Sequence, residues 1–259
     1  MDLGVQLYIF SRRLKQGDTL AGFLSPMAEA GYAGIETPPG SRDLTGEDLR
    51  KAGLKACGLH AVTCQGELDP ENLDTLIAYL KSIDCQDVCA SGLLEWNERS
   101  AEDYRTSAEH LNAAGRTLRE EGIFLHYHNH DFEFDTLVEG AHNGMELLLD
   151  AFDPDAVSLC LDLGWVWTTG VDTQAWLREH ASWVRYVHLR DWQEQPDGGN
   201  AACALGEGEM PQEGIFAALS LLPQLRHVVV EHDPIDDADE AIRRMRSSRA
   251  FAGERLPAN

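Results

Sequence analysis

A chain of 259 residues with 43% hydrophobic and 25% charged residues has the composition of an ordinary globular protein, which excludes extended disorder and low-complexity sequence. Its 44 acidic and 21 basic side chains give a formal net charge of −23. This charge repels the phosphates of nucleic acids and anionic membrane surfaces, and it argues against both as partners. A small substrate remains open, neutral or phosphorylated, because a local cation can reverse the potential within one cleft.

The cysteines and the hydropathy pattern indicate the compartment. No C-x-x-C pair occurs among the six cysteines, which fall mainly in apolar stretches and are predicted to be reduced thiols. The first ten residues lack a basic stretch followed by a long apolar run, and no segment reaches about 18 consecutive apolar residues. We therefore expect a cytoplasmic enzyme.

Short apolar runs alternate with longer helical patterns, which is typical of repeated βα units around a parallel sheet. Eight strands are predicted: Gly4–Phe10, Gly34–Thr37, Lys55–Val62, Asp87–Ser91, Ile123–Asn129, Val157–Gly164, Val184–Arg190 and His227–His232. Eight parallel strands can close into a barrel without exposed edges, and roughly 250 residues is a common length for one. We predict an α/β fold, a single (β/α)8 TIM barrel domain spanning residues 1–259.

An open, doubly wound sheet is the alternative arrangement of the same elements. It would require a glycine-rich phosphate loop after an early strand, and the sequence contains none. One connection, Asp191–Pro211, is exceptionally long and contains four glycines. Because unstructured connections of that length are usually functional, this loop is predicted to serve the site.

Ionisable side chains end most of the predicted strands, and in a barrel these ends build the active site. Six strands end in such a residue: Glu36, His60, His128, Asp162, His188 and Glu231. The fifth strand places His126, His128 and His130 at alternate positions, hence on one face. One buried histidine is an ordinary core side chain, but three crowded imidazoles repel each other as they protonate. A metal ion relieves this by binding the neutral form.

Asp162, His188 and Glu231 each interrupt an apolar run near the end of a strand. Taken singly, the aspartate could cap a helix, the histidine could be a core residue and the glutamate could pair with an arginine. Together they would converge at one barrel mouth, where a buried carboxylate needs a partner or a cation. Carboxylate oxygen and imidazole nitrogen suit Mn²⁺, Co²⁺, Mg²⁺ or Zn²⁺, and the absence of thiolate disfavours softer metals. One divalent metal ion is therefore predicted.

Several motifs along nearly the whole chain resemble, in their order, those of the sugar phosphate isomerase/epimerase superfamily, also called xylose isomerase-like TIM barrels. They are LGVQLY at residues 3–8, YHNHDFEF from Tyr127, LDLGW from Leu161, VHLRD from Val187, GEG at 206–208 and VVVEHD from Val228. Together they are specific for the superfamily, and YHNHDFEF marks a subgroup, but they do not specify one substrate.

The resemblance implies a metal site built from Glu, Asp, His and Glu at the ends of strands five to eight. Asp162, His188 and Glu231 match three of these positions. Glu133 is favoured as the fifth-strand ligand. His128 is the alternative, because it stands where many relatives have the glutamate.

The resemblance also implies the chemistry, a proton transfer beside the carbonyl of a small sugar through a metal-stabilised enediolate. Glu133 and Glu231 would exchange protons on opposite faces of the substrate. His128 and His130 are further catalytic candidates. The candidate substrate-binding residues are His60, Arg190, Glu207 and Trp165. An isomerase or epimerase is the main prediction, and loss of a β-hydroxyl would instead give a dehydratase of an inosose or 3-keto-sugar.

Two other classes are weighed against these enzymes. A DNA-repair endonuclease of the same superfamily would need a basic groove, and the charge of −23 argues against it. A non-catalytic sugar-binding barrel would be expected to have lost a ligand, whereas Asp162, His188 and Glu231 are all present. No basic phosphate pocket is evident, which favours an unphosphorylated sugar or cyclitol. The resemblance also implies that a homo-oligomer is possible, since homodimers and tetramers are common among such barrels, but no surface stripe in the sequence indicates one.

Overall fold

Eight parallel strands, each paired with the next in chain order, close into a barrel in which the last strand pairs with the first. This computed structural model describes residues 2–61, 66–95, 99–135, 137–140 and 142–256. The strands are β1 (Leu3–Gln6), β2 (Gly34–Thr37), β3 (Lys55–Ala61), β4 (Asp87–Ser91), β5 (Phe124–His128), β6 (Val157–Asp162), β7 (Val184–Leu189) and β8 (His227–Val230). The predicted (β/α)8 barrel is confirmed, with a strand at each of the eight predicted positions.

Helices connect the strands and cover the outside of the barrel. They are α1 (Ser11–Lys15), α2 (Leu20–Ala30), α3 (Gly46–Ala52), α4 (Leu73–Ser82), α5 (Ala101–Glu120), α6 (Phe132–Asp135), α7 (Gly144–Ala151), α8 (Leu163–Thr168), α9 (Thr173–Glu179), α10 (Gln212–Leu219) and α11 (Ala238–Gly253). Neighbouring helices pack together, α11 on α2 and α5 on α7. In the part of the chain that the structure describes, no helix is both long and apolar enough to cross a membrane.

Several strands end earlier than the sequence predicts, and in β1 and β6 the reason is a side chain that captures backbone N–H groups at the strand end. Leu7–Phe10 form a 3-10 helix, in which the Gln6 side chain accepts a hydrogen bond from the Tyr8 N–H. Asp162 accepts hydrogen bonds from the N–H groups that follow it and so starts α8. Such caps favour a helix over a continued strand. Val62, the predicted end of the third strand, lies outside the described residues.

The barrel interior is a packed core, as in other barrels of this type. One buried cluster contains Cys57, Cys89, Cys160, Tyr186 and Val229. The Tyr186 hydroxyl reaches across from β7 and donates a hydrogen bond to the Glu36 carboxylate on β2 (2.6 Å). The free thiols are those of Cys57, Cys85, Cys89, Cys160 and Cys203, and Cys64 lies outside the described residues.

The long connection after β7 is more ordered than the sequence predicts. It contains an antiparallel pair of strands, Asp191–Glu194 with Asn200–Cys203. The Asp191 carboxylate accepts hydrogen bonds from the N–H groups of Gly206 (2.8 Å) and Gly208 (3.2 Å), which holds the returning chain against the barrel. A second short pair joins Leu137–Glu139 to His142–Asn143.

Candidate active site

A cavity of about 530 Å³ opens at the carboxyl ends of the barrel strands. Its volume is in the range of pockets that hold small molecules. Its lining includes Gln6, His60, Ser91, His128, His130, Trp165, Arg190 and Glu231. The cavity therefore lies where the sequence predicts the active site.

Four side chains beside this cavity form one compact group of possible metal ligands. His128, Asp162, His188 and Glu231 are all buried, and their ligand atoms lie within 4.8 Å of one another. They end or follow the neighbouring strands β5, β6, β7 and β8, so the barrel itself brings them together. The predicted convergence of the last three is found, and His128 completes the group.

The orientation of His188 fits a cation at this group. Its Nε2 lies 2.8 Å from Glu36 Oε2, so the ring donates its proton there and presents Nδ1 to the group. Nδ1 lies 2.7 Å from Glu231 Oε2, but the two atoms are not in hydrogen-bonding orientation. Both atoms are buried and have no hydrogen-bond partner among the described residues. A cation bound by both would satisfy them, so these residues fit a divalent metal ion.

Glu36 positions a second imidazole as well. Its Oε1 lies 2.9 Å from His60 Nδ1, while its other oxygen accepts from His188 and Tyr186. Burial alone would raise the pKa of Glu36, but the charge and hydrogen bond of His188 and the hydrogen bond of His60 lower it to about 2. The sequence indicated a polar strand end here but gave it no role. The only signal was a carboxylate within a short apolar strand.

Arg190 places a positive charge next to the group of four. It is buried and forms ion pairs with Asp162 (2.6 Å), Glu231 (2.6 Å) and Asp233 (2.7 Å). Burial alone would lower the pKa of Arg190, but these carboxylates raise it above its usual value. The predicted substrate-binding arginine therefore lines the cavity while it also fixes two of the four possible ligands.

The protonation states of two members of the group, His128 and Glu231, suit cation binding, whereas burial raises the pKa of Asp162 to about 6. Burial lowers the pKa of His128 well below its usual value and lowers that of His130 to about 3. Burial would raise the pKa of Glu231, but Arg190 and His188 lower it well below its usual value. Neutral imidazole and ionised carboxylate are the forms that bind metals. His188 differs, because Glu36 and Glu231 raise its pKa against the effect of burial, so a metal would displace its proton.

Two thiols lie next to this group, where the sequence predicted none. Cys89, Cys160 and His188 have donor atoms within 4.8 Å of one another, and Cys160 Sγ lies 3.8 Å from His128 Nδ1. The inward alternation of the strands brings them there. Burial raises the pKa of Cys160 to about 12 and that of Cys89 well above its usual value. Burial therefore disfavours the thiolate, which is the form of cysteine that binds metals.

The structure does not bring Glu133 to the group of four. This residue lies in the short helix α6, which turns its carboxylate back towards β5. Its Oε1 accepts from the Tyr127 hydroxyl (2.6 Å) and its Oε2 from the His130 N–H (2.9 Å). Burial raises the pKa of Glu133 to about 7 despite these hydrogen bonds. The favoured fifth-strand ligand is thus buried and bonded elsewhere, and His128 takes its place beside the other three.

Glu207 also lies away from the cavity, whereas the other candidate substrate-binding residues line it. Because Asp191 binds the N–H groups of Gly206 and Gly208 on either side, the Glu207 side chain turns outwards. It lies near Ser247 (3.3 Å) and Arg243 (3.7 Å) on α11 and is 43% exposed. His60, His130, Arg190 and Trp165 are all in the cavity wall.

Comparison with known proteins identifies relatives of the same architecture. The chain is 33% identical over 90 residues to inosose dehydratase of Clostridium perfringens (35% of this chain, 29% of that enzyme). It is 28% identical over 193 residues to inosose dehydratase of Bacillus velezensis (68% of this chain, 63% of that enzyme). The matched segments thus span less than two thirds of either enzyme.

Solved structures show the same fold. A sugar phosphate isomerase/epimerase from Parabacteroides distasonis superposes with a TM-score of 0.78 at 19% identity, covering 96% of each chain. An L-ribulose 3-epimerase superposes with a TM-score of 0.72 at 17% identity, covering 99% of this chain and 95% of that one. A family model matches residues 24–248, and the chain therefore belongs to the xylose isomerase-like TIM barrel family.

Proposed function

We propose that this protein is a divalent-metal-dependent lyase that dehydrates a keto-polyol, an inosose or a keto-sugar, by removing a proton beside the carbonyl. The observation that carries the proposal is the group of four buried ligands beside a cavity whose other wall contains oriented imidazoles. The inosose dehydratases among the relatives support it.

The metal would be held by His128, Asp162, His188 and Glu231. When bound, it would act as a Lewis acid that polarises the carbonyl of the substrate and stabilises negative charge on its oxygen. Arg190 keeps Asp162 and Glu231 in place for this role, with ion pairs of 2.6 Å to each.

His60 is the proposed proton acceptor. Because Glu36 binds the Nδ1 side of its ring, the Nε2 is the basic nitrogen, and it lies 3.2 Å from the Ser91 hydroxyl in the cavity wall. A base whose orientation is fixed by a third group is the usual arrangement for proton abstraction. His60 therefore takes the proton from carbon, and Ser91 aligns it.

The departing hydroxyl needs a proton, and His130 is not its source because burial keeps that imidazole unprotonated. His130 lines the same cavity, with its ring centroid 5.0 Å from that of His128 and 5.8 Å from that of Trp165. In the proposed reaction the C–H bond breaks towards His60. The C–O bond then breaks as the oxygen takes that same proton from His60, and water leaves.

The position of Glu133 favours elimination over epimerisation. An epimerase needs a proton-exchanging group on each face of the enediolate, and the resemblance implied Glu133 and Glu231 for those places. With the Glu133 carboxylate bonded to Tyr127 and the His130 backbone, the cavity retains Glu231 and imidazoles. Elimination requires only one base and one acid.

An isomerase or epimerase is the second candidate. His60 on β3 and Glu231 after β8 line the same cavity, and this favours the second candidate. The strands β1 and β2 lie between β3 and β8, so the two side chains reach the cavity from different sides. Two such groups could exchange protons on different faces of one bound sugar.

The test is incubation of the Mn²⁺-loaded protein with an inosose and a set of keto-sugars in deuterated water, followed by NMR. Loss of water with formation of an unsaturated product supports the lyase. Deuterium in a stereoisomer without loss of water supports the epimerase. His60→Asn should abolish turnover but leave metal binding intact. Glu231→Gln should weaken both metal binding and turnover. His227→Asn, at the other end of the barrel, is the matched control. Metal binding without exchange or elimination on any of these compounds would exclude both reactions.

A further inference from the structure

A second cavity adjoins the first and is not used by the proposed chemistry. It has a volume of about 320 Å³ and is lined by Asp131, Trp165, Thr168, Trp192, Asn200 and Asp233. Trp165 and Asp233 line both cavities, so the two spaces share a wall. The two spaces are therefore adjacent.

Several polar groups of this second cavity are available to a ligand. The Asp131 carboxylate and the Asn200 side-chain amide form no hydrogen bond or ion pair with any residue that the structure describes. The Thr168 hydroxyl donates to the Trp165 carbonyl (2.8 Å) and keeps its acceptor capacity. Carboxylate, amide and hydroxyl groups around an indole are the surroundings that a hydroxyl-rich ring requires, with apolar contact on its face and hydrogen bonds at its edge.

The charge of the second cavity selects against a phosphate. Asp131 and Asp233 contribute two carboxylates, and the lining residues that the structure describes include no arginine or lysine. Arg190, which pairs with Asp233, also pairs with Asp162 and Glu231. An anionic group placed there would meet net negative charge without a free cation. A neutral polyol would instead donate its hydroxyl protons to these carboxylates.

The hairpin after β7 gives this cavity a wall that the barrel strands do not provide. Asn200 begins the second strand of the pair Asp191–Glu194 with Asn200–Cys203, and Trp192 lies in the first. The long connection singled out in the sequence is thus ordered so that it extends the site sideways from the barrel axis.

We propose that the second cavity binds a second sugar unit of the substrate, so that the protein acts on a neutral disaccharide whose reducing unit is the keto-sugar beside the four ligands. With the carbonyl at C3 of that unit, the proton leaves C2 and the C1 hydroxyl leaves as water. This inference rests on the proposed function for the unit that reacts. The second unit would contact the Trp165 face and donate hydrogen bonds to Asp131 and Asn200.

The experiment compares two pairs of compounds on the Mn²⁺-loaded protein. Binding of methyl β-glucoside and methyl β-cellobioside, which do not react, is measured by calorimetry. Turnover is compared between 3-keto-glucose and a 3-keto-cellobiose that carries the keto group in its reducing unit. We expect the disaccharide of each pair to be favoured about tenfold or more, since several added hydrogen bonds each contribute roughly a factor of three to ten. Asn200→Ala and Asp131→Ala should each reduce this preference by about that factor. Gln193→Ala, exposed on the same hairpin and outside the cavity lining, is the matched control and should keep the preference.

The outcomes separate the two proposals. A binding preference for the disaccharide that depends on Asn200, without turnover of either keto compound, supports the second sugar site and contradicts the proposed function. Turnover of both keto compounds with equal kcat/KM supports the proposed function and overturns the second site. A preference for the disaccharide that survives in Asn200→Ala and in Asp131→Ala also overturns the second site. So does the absence of binding of both methyl β-glucoside and methyl β-cellobioside.

Discussion

Two buried clusters of the same residue types lie at opposite ends of the barrel, and only one of them has the features of a reaction site. At the amino ends of the strands, Asp87 accepts from His126 (2.9 Å), from Arg226 (2.7 and 3.0 Å) and from His227 (3.1 Å). His126 in turn contacts Ser158 (2.7 Å). Each carboxylate oxygen of Asp87 thus has two partners, and the cluster is closed.

The cluster at the carboxyl ends is similar in composition but is not closed. His188 Nδ1 and Glu231 Oε2 lack hydrogen-bond partners among the described residues, and a cavity of about 530 Å³ adjoins them. Perturbed ionisable groups occur both in structural ion networks and in active sites. The two clusters therefore differ in their unsatisfied ligand atoms and the open cavity beside them, and not in residue type. These two features distinguish a candidate site from a structural network.

The largest effect is expected from His188→Ala, which removes a proposed metal ligand of the open cluster. The affinity for Mn²⁺ should fall by about 100-fold or more, because even residues that only orient metal ligands contribute roughly 10–100-fold. Calorimetric titration of the metal measures this, with His227→Asn as the control from the closed cluster. If both variants bound Mn²⁺ equally well, the distinction between the clusters would be lost.

Asp87→Asn tests the closed cluster and should act on stability alone. Removing one partner of a buried ion network costs about 3–5 kcal/mol. Urea unfolding measures this loss. Metal titration of the same variant should give the wild-type affinity, and a weakened metal site would contradict the assignment of this cluster as structural.

The closed cluster also predicts a pH dependence. Burial would raise the pKa of Asp87, but hydrogen bonds from His126, His227 and Arg226 lower it well below its usual value. The folded state therefore binds fewer protons than the unfolded chain below about pH 4. This contribution to stability is present above that pH and is lost as the pH falls further. In Asp87→Asn the acid-induced loss of stability should be smaller.

Glu36→Gln should have an intermediate effect on the open cluster. Glu36 does not belong to the group of four, but it accepts the hydrogen bond that presents His188 Nδ1 to that group. Loss of such an orienting carboxylate typically weakens metal affinity by about 10–100-fold. Metal titration checks this. An unchanged affinity would show that the ring is held by packing alone.

The smallest effect on metal affinity is expected from Glu133→Gln. This variant tests the residue that the sequence favoured as the fifth-strand ligand, with His128 as the alternative. Burial raises the pKa of Glu133 to about 7, so between about pH 4.3 and 7 the folded state binds more protons than the unfolded chain. This contribution to stability is present below that window and is lost as the pH rises through it. Relative to the variant, the wild type should lose on the order of 1–3 kcal/mol between pH 5 and pH 8. Urea unfolding at both pH values measures the difference.

Metal titration of Glu133→Gln distinguishes the two possible ligands. With His128 as the ligand, the Mn²⁺ affinity should stay within about twofold of the wild type, and His128→Ala should weaken it strongly. A large loss in Glu133→Gln would instead identify the glutamate as the ligand.

The eight strands, the closed barrel and the ionisable residues at the strand ends could be predicted from the sequence alone. These features depend on local periodicity and on apolar runs interrupted by one polar residue, both visible without a structure. Asp162 illustrates this, because its two possible roles were visible from its neighbours, and the structure assigns it both: it caps α8 and lies in the group of four.

Which side chains contact one another depends on the tertiary structure and could not be predicted from the sequence. Glu36 and His188 are 152 positions apart in the chain, and no local pattern indicates their contact. Glu133 is turned away by hydrogen bonds from the Tyr127 hydroxyl and the His130 N–H. Glu207 is turned away by the loop that Asp191 holds. Strand periodicity fixes the face of a residue within a strand, but beyond the strand end the direction of a side chain depends on the partners that the closed barrel provides.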